Sequence, residues 1–524
     1  MKIKIGSMGK PVLPFNVQII DEKGNILPPN TEGYLGIRIK PTRPLGLFVE
    51  YENDPQMTAE VECGDFYNSG DKATVDDDGY IWFLGRGDEI INASGYRIGP
   101  TEVENALAEH PAVAESAVVS SPDPNRGEAF PTSYQKTKSL VIMKILLHYQ
   151  RFRFIWLAKP AGRHFHKHPQ LQTPLTLADF EAINRCEKPL PKNFNFAADV
   201  LDQWSQKEKS GERPANPALW WVNGKGDEVK WSFQELGSLS RKAANVLTKP
   251  CGLQRGDRVA VILPRIPEWW LINVACIRTG LVFMPGTTQL TRKDILYRLQ
   301  ASKAKCIVAS EEVAPAVDSI VSECPNLKTK LLVSPDRWDG WLNFQELLPL
   351  ASEEHSCVET GSQEPMAIYF TSGTTGSPKM AQHSQSSLGI GYALCGRYWL
   401  DLTPSDIMWN MSDTGWIKAA IGSVFSTWLQ GACVFVHRMA QFDTDTFLDT
   451  LTTYPITTLC SAPTVYRMLV QKDLKRYQFK RLRHCLTGGE PLNPEVLEQW
   501  KVQTGLELYE GYGQTEVVYL KDKL

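Results

Sequence analysis

Met366-Ala367-Ile368-Tyr369-Phe370 runs directly into Thr371-Ser372-Gly373-Thr374-Thr375-Gly376-Ser377-Pro378-Lys379. The five apolar residues read as a strand. The nine that follow are small, hydroxyl-bearing and glycine-rich, and they end in a cation. Such a loop offers bare backbone N–H groups and O–H donors at close approach, with a lysine as point charge, which is what a triphosphate needs. It is not a Walker A loop, because the Gly-Lys-Ser/Thr ending is absent. A flexible linker has no reason to follow an apolar strand or to end in Pro-Lys.

Outward from this junction the pattern is α/β. Arg258–Leu263, Val282–Met284, Cys306–Ala309 and Lys330–Val333 read as short buried strands. The spacing predicts helices over Pro267–Thr279 and Asp294–Ser302 between them. Strands alternating with helices imply parallel pairing in a layered domain. The first 88 residues differ. They read as short strands joined by turns, such as Val17–Ile20 before Lys23-Gly24-Asn25, and Tyr80–Leu84 after Asp76-Asp77-Asp78-Gly79. Residues 89–130 read as strand, helix, strand, with Thr101 and Glu104 at capping-box spacing and Ala112–Ser120 as a buried strand.

At 524 residues the chain is too long for one core, and domains of roughly 100–250 residues are expected. Four segments are delimited: 1–88, 89–130, 131–190 and 191–524. A net charge of −3 gives no global reason to bind nucleic acid or an anionic membrane. No apolar run reaches the ~20 residues of a membrane span. The 11 cysteines are scattered without a Cys-x-x-Cys pair, which argues against a disulfide framework or structural zinc. His164, His166 and His168 lack a nearby carboxylate to complete a metal site. Residues 131–178 hold no Asp or Glu and are basic and aromatic. They read either as a basic interdomain linker or, from Met143, as a mitochondrial transit-like segment.

Thr371–Lys379 resembles the phosphate-binding signature of the adenylate-forming (AMP-binding) superfamily. The fold that this implies is a large domain of layered sheets and helices with a small α+β lid. Gly488-Gly489-Glu490 resembles the turn beside the adenine pocket. Glu510-Gly511-Tyr512-Gly513-Gln514-Thr515-Glu516 resembles the second nucleotide motif. There Tyr512 is similar to the ring that stacks on adenine, Thr515 to the residue that meets the α-phosphate and acyl carboxylate, and Glu516 to the Mg²⁺ ligand. Asp71, in Ser69-Gly70-Asp71, resembles the carboxylate that grips the ribose, and Arg86 a further nucleotide contact. Asp88 resembles the interdomain hinge. Ser94-Gly95-Tyr96-Arg97, Arg126 and Gln289 resemble contacts to CoA.

Between the motifs the wording is similar to the mitochondrial medium-chain acyl-CoA synthetases, as in Phe194-Asn195-Phe196-Ala197, Pro267-Glu268-Trp269-Trp270 and Ser412-Asp413-Thr414-Gly415-Trp416. The resemblance covers about 1–130 and 185–520. It implies ATP-dependent ligation of a medium-chain or aromatic carboxylate to CoA through an acyl-adenylate, with Thr515 and Lys379 as catalytic residues. ATP, CoA and Mg²⁺ are the implied cofactors. A monomer in the mitochondrial matrix, with small molecules as partners, is expected. It also implies that Trp416 lines an acyl tunnel, whereas Trp220 and Trp231 read as core.

The order departs from the family. Residues 1–130 resemble its later part and 143–524 its earlier part, and the lid breaks off after Glu128, before the lysine that acts in the first step. Joined pieces of two neighbouring genes and a circular permutation both fit that order. A nucleotide-binding protein without turnover is the alternative function, and another kind of adenylate-former, such as a carrier-loading or luciferase-like enzyme, is the third. All three require residues from opposite ends of the polymer to meet.

Overall fold

In the computed structural model, the described residues are 4, 6–11, 15–87, 91–93, 96–98, 103, 113–118, 121–123, 127–129, 132–136, 175–371, 377–439 and 441–517. The chain divides into two units, one formed by Met1–Asp88 with Leu175–Leu524, the other by Glu89–Pro174. The first unit therefore contains both ends of the described chain.

Two large sheets carry that unit. One has the strand order Leu342–Asn343, Thr329–Val333, Cys306–Ser310, Arg258–Ile262, Val282–Gly286, Pro365–Thr371, Lys379–Ser384, Glu50–Tyr51. Its first six strands are parallel, as their near-continuous apolar runs require when helices cover both faces. The last two pairings are antiparallel, and the final strand comes from near the start of the chain. The other large sheet is ordered Glu228–Trp231, Leu219–Val222, Cys433–His437, Ile407–Asn410, Thr458–Ser461, His484–Gly488, Leu508–Gly511, parallel after its first pair. A smaller antiparallel sheet holds Val17–Ile20, Gly33–Arg38, Phe66–Val75, Glu62–Cys63 and Ile81–Arg86.

One hydrophobic cluster joins residues from both chain segments. Phe15, Ile19, Leu35, Leu47, Phe48 and Tyr51 bury together with Tyr369, Ala381 and Val517. The seam is also hydrogen-bonded. Val49 donates its amide to the Gln382 carbonyl at 2.7 Å, Glu52 to Met380 at 2.8 Å, and Phe48 to Glu516 at 2.7 Å. Backbone groups at such a seam must be paired once water is excluded, so the register is fixed. Gly391 shows how close the approach is, because a Cβ there would lie 3.0 Å from the Gly46 backbone and 2.3 Å from the Ser387 carbonyl oxygen. Gly391→Ala is expected to destabilise the unit by about 1–3 kcal/mol through overpacking, read as a lower urea midpoint with an unchanged m-value.

The helix over Pro267–Thr279 has the bounds read from the sequence, and the strands upstream agree within two residues. Two boundaries differ. Thr132–Lys136, inside the segment expected to be linker from residue 131, is a strand paired with Val113–Val118 in the second unit. Leu177–Asn184 is a helix of the first unit, opened by a Thr176/Asp179 capping box, with Phe180 and Ile183 in the main core. Residues from Leu175 on, placed in the 131–190 segment by the sequence, thus belong to the first unit. In the second unit, Ile91–Ala93, Tyr96–Ile98, Gly127–Ala129 and Ser121–Asp123 form a four-stranded sheet. The helix expected near Thr101, the transit-like run from Met143 and the three histidines lie outside the described residues. All 11 cysteines are free. No helix among the described residues is long and apolar enough to cross a membrane.

Candidate nucleotide site

The site forms where the two chain segments meet. Asp71 lies on Phe66–Val75 directly opposite Arg86 on Ile81–Arg86, so the antiparallel register alone brings carboxylate and guanidinium together. Arg86 Nη1 donates to Asp71 Oδ1 at 3.1 Å and to the Ser69 carbonyl at 3.2 Å. Gly70 permits this. Its φ is 78°, and a Cβ there would sit 3.2 Å from Arg86 Nη2.

The far end of the polymer completes the cluster. Tyr512 donates its hydroxyl to Asp71 Oδ2, and Gln514 Nε2 donates to the same oxygen at 2.8 Å and to the Ser69 carbonyl at 3.1 Å. Asp71 is 3% exposed. Burial raises its carboxyl above the usual range, while Tyr512, Arg86 and Gln514 pull it back. Burial and the neighbouring Asp71 charge push the Tyr512 hydroxyl well up, so it remains a donor.

A second cluster adjoins the phosphate loop. Thr371 pairs with Lys379 in the hairpin that flanks residues 372–376, which lie outside the described residues. Tyr297 donates its hydroxyl to the Pro378 carbonyl at 2.9 Å, and the Arg298 guanidinium stacks 4.5 Å from the Phe370 ring centre. The helix Arg292–Ser302 thus grips the entry and the exit of the loop. Lys379 Nζ sits 5.4 Å from the Tyr51 ring centre, and the Tyr51 hydroxyl donates to Glu516 Oε1 at 2.7 Å. Burial raises the Glu516 carboxyl, opposed by the Tyr51 hydrogen bond and, more weakly, by the Lys379 charge.

His383 Nε2 lies 2.9 Å from the Thr515 carbonyl oxygen. A carbonyl only accepts, so Nε2 carries the proton. Burial lowers the His383 pKa to about 4 from 6.5. Below pH 6.5 the unfolded chain binds a proton that the folded chain refuses until near pH 4, so this stability is present above pH 6.5 and lost as pH falls between those values. The shift corresponds to roughly 3 kcal/mol. Wild-type protein is expected to lose more stability from pH 7 to 4.5 than His383→Asn, compared by urea denaturation at each pH.

Other expected residues lie elsewhere. Glu510 accepts the Leu492 amide at 3.0 Å and so orders the segment after the Gly488-Gly489-Glu490 turn. Gly511 is the strand partner of Gly488, which sets that turn beside the second motif. Gly513 lies between Tyr512 and Gln514 and is half-buried. Ser377 is exposed and Pro378 half-buried at the loop exit. Gln289 is exposed after Val282–Gly286, its amide bonded to Thr287 Oγ1 at 3.0 Å. Tyr96 and Arg97 belong to a strand of the second unit. Ser94, Gly95, Arg126, Asp88 and the loop residues Ser372, Gly373, Thr374, Thr375 and Gly376 lie outside the described residues. Trp416 is 47% exposed. Trp220 packs edge-on against Phe435 and Tyr454.

Tyr51, His383 and Lys418 were not singled out in the sequence. No local spacing marks them, because their partners are distant in the chain or are main-chain carbonyls.

Set beside known proteins, these features have one class. The chain belongs to the AMP-binding enzyme family, which it matches over residues 206–520. The AMP-binding enzyme C-terminal domain matches residues 102–134, upstream of that stretch and so against the order its name describes. Among curated relatives, the chain is 94% identical over 375 residues to the acyl-coenzyme A synthetase ACSM4, mitochondrial, of Mus musculus, covering 72% of this chain and 65% of that one. It is 88% identical to the Homo sapiens protein of the same name over the same shares, and 58% identical over 359 residues to the Homo sapiens acyl-coenzyme A synthetase ACSM3, mitochondrial, covering 68% and 61%. The chain thus spans about two thirds or less of the length of these relatives. The Brucella canis acyl-CoA synthetase superposes with a TM-score of 0.56 at 26% identity, over 62% of this chain and 58% of that one. An anthranilate CoA ligase bound to anthranoyl-AMP shares the fold, with a TM-score of 0.57 at 23% identity, over 62% and 61%.

Proposed function

We propose that the protein joins a medium-chain or aromatic carboxylate to CoA through an acyl-adenylate, releasing AMP and pyrophosphate. The observation that carries this is the meeting of Asp71 and Arg86 with Tyr512 and Gln514 across the seam. Asp71 binds the ribose hydroxyls by exchanging its Tyr512 and Gln514 donors for them, which frees the Tyr512 ring for the adenine face. Lys379 and the loop 371–379 hold the phosphates and neutralise charge as pyrophosphate departs. Thr515, its main chain fixed by His383, presents its hydroxyl to the reacting centre. The enzyme's contribution is positioning and charge, with no covalent intermediate on the protein.

Among the described residues no group of three His, Cys, Asp or Glu gathers into a metal cage. One buried carboxylate beside a lysine fits an Mg²⁺ ion that takes most of its ligands from phosphates and water. Glu516 would hold that ion, which neutralises phosphate charge. Ser94, Gly95, Tyr96, Arg97, Arg126 and Gln289 are assigned to CoA, and the mitochondrial matrix is the proposed location.

The test is to supply purified protein with ATP, Mg²⁺, octanoate or benzoate, and CoA. Pyrophosphate and acyl-CoA are expected. Pyrophosphate no greater than from Lys379→Ala would end the proposal. The second reading, nucleotide binding without turnover, is favoured by the shortness of the C-terminal-domain match at 102–134. It predicts thermal stabilisation by ATP with no acyl-CoA formed.

A further inference from the structure

Lys418 stands apart from the lysines paired at the surface. It lies on the short helix Ile417–Ala420, reached from the strand Ile407–Asn410, and Asn410 Nδ2 donates to its carbonyl at 2.8 Å. Its half-buried ammonium donates to the Gly488 carbonyl at 2.6 Å and to the Ser461 carbonyl at 3.3 Å. Those two carbonyls end adjacent parallel strands of the seven-stranded sheet. Among the described residues Lys418 makes no ion pair. Two of its three N–H donors are taken, so one donor and a full positive charge remain. A half-buried ammonium held only by carbonyl oxygens still attracts an anion.

The position of this charge matters. Gly488 pairs with Gly511, one strand spacing away, and Gly511 precedes Tyr512. The ammonium is therefore anchored on the strand next to the one that leads into the second nucleotide motif. It lies at the carboxyl ends of the strands, where open α/β sheets bind ligands. Exposed Trp416 lies two residues away.

We infer that Lys418 binds the carboxylate head of the acyl substrate and thereby selects acids over neutral molecules of the same shape. The inference deepens the proposed function and rests on it. Gly488 and Ser461 anchor the ammonium, and the incoming carboxylate supplies the missing anion. Once the mixed anhydride forms, the substrate's negative charge is gone and the attraction weakens, so this contact favours the first half-reaction.

The experiment measures binding of octanoate and of octanamide to the full chain by calorimetry, in wild type, Lys418→Met and Lys418→Arg. Lys418→Met keeps the aliphatic stem. It is expected to weaken octanoate about tenfold, the size of one charge-assisted contact, while octanamide and ATP bind as in wild type. Lys418→Arg is expected to retain the preference for octanoate. Equal weakening of octanoate and octanamide would mean that Lys418 only holds the two strand ends, and overturns the inference. So does an unchanged octanoate affinity. Wild-type protein that binds neither octanoate nor octanamide would overturn the proposed function itself, a result distinct from either.

Discussion

Asp71→Ala is expected to reduce ATP–pyrophosphate exchange by about a thousandfold or more. Three donors from two chain segments converge on this one carboxylate. Truncation leaves Arg86, Tyr512 and Gln514 facing a methyl group, and removes the acceptor for the ribose. A lost hydrogen bond to a buried charge costs roughly 1.5–3 kcal/mol. Arg86 is about a third exposed, so water recovers part of that loss. The expected fall in folding stability is therefore only about 2–3 kcal/mol, measurable by urea denaturation. Asp71→Asn preserves shape and should restore most of the stability but little of the activity. Exchange above a tenth of wild type in Asp71→Ala would show that the cluster is only a clasp between segments.

Lys379→Ala is expected to lower turnover about 10²–10³-fold, the usual effect of removing one preorganised charge from a site of this kind. Stability should hardly change. Lys379 is half-buried, lies over the face of the Tyr51 ring, an interaction of about 0.5–1 kcal/mol, and acts only weakly on the Glu516 charge. The loss should appear chiefly in kcat and not in the KM for octanoate, because the charge acts on phosphate. A large fall in melting temperature would instead assign Lys379 to the seam. Together the two substitutions separate the ribose end of the site from its phosphate end.

Local elements were legible from the sequence wherever local chemistry fixes them. Pro267 opens a helix because its missing N–H needs no partner there, and the glycine after Thr279 allows it to stop. The apolar runs at Arg258–Ile262 and Cys306–Ser310 read as buried parallel strands because both of their faces are covered. The helix Leu177–Asn184 was readable too. Thr176 and Asp179 form a capping box, but the basic, acid-free composition before them drew the boundary too late. The strand Thr132–Lys136 was passed over because its five residues carry little apolar signal, and its pairing with Val113–Val118 is tertiary.

The candidate site divides in the same way. The phosphate loop could be read from its residue types, and the other motif residues could be named from their resemblance to the family. What the sequence could not supply is where Tyr512 points. Its hydroxyl reaches a carboxylate 441 positions away, and no window along the chain contains both. Tyr51, His383 and Lys418 escape for the same reason, since each is defined by a partner outside its own element.

The edge strand Glu50–Tyr51 carries a last implication. It belongs to a sheet whose other members lie far along the chain, and the seam around it is made wholly of non-covalent contacts. No described element lies between Lys136 and Leu175. The covalent tie between the two segments raises the local concentration of one near the other. A polypeptide ending near residue 140 and another beginning near 170, produced together, should then find each other and restore the nucleotide cleft, at a concentration set by the strength of the seam alone.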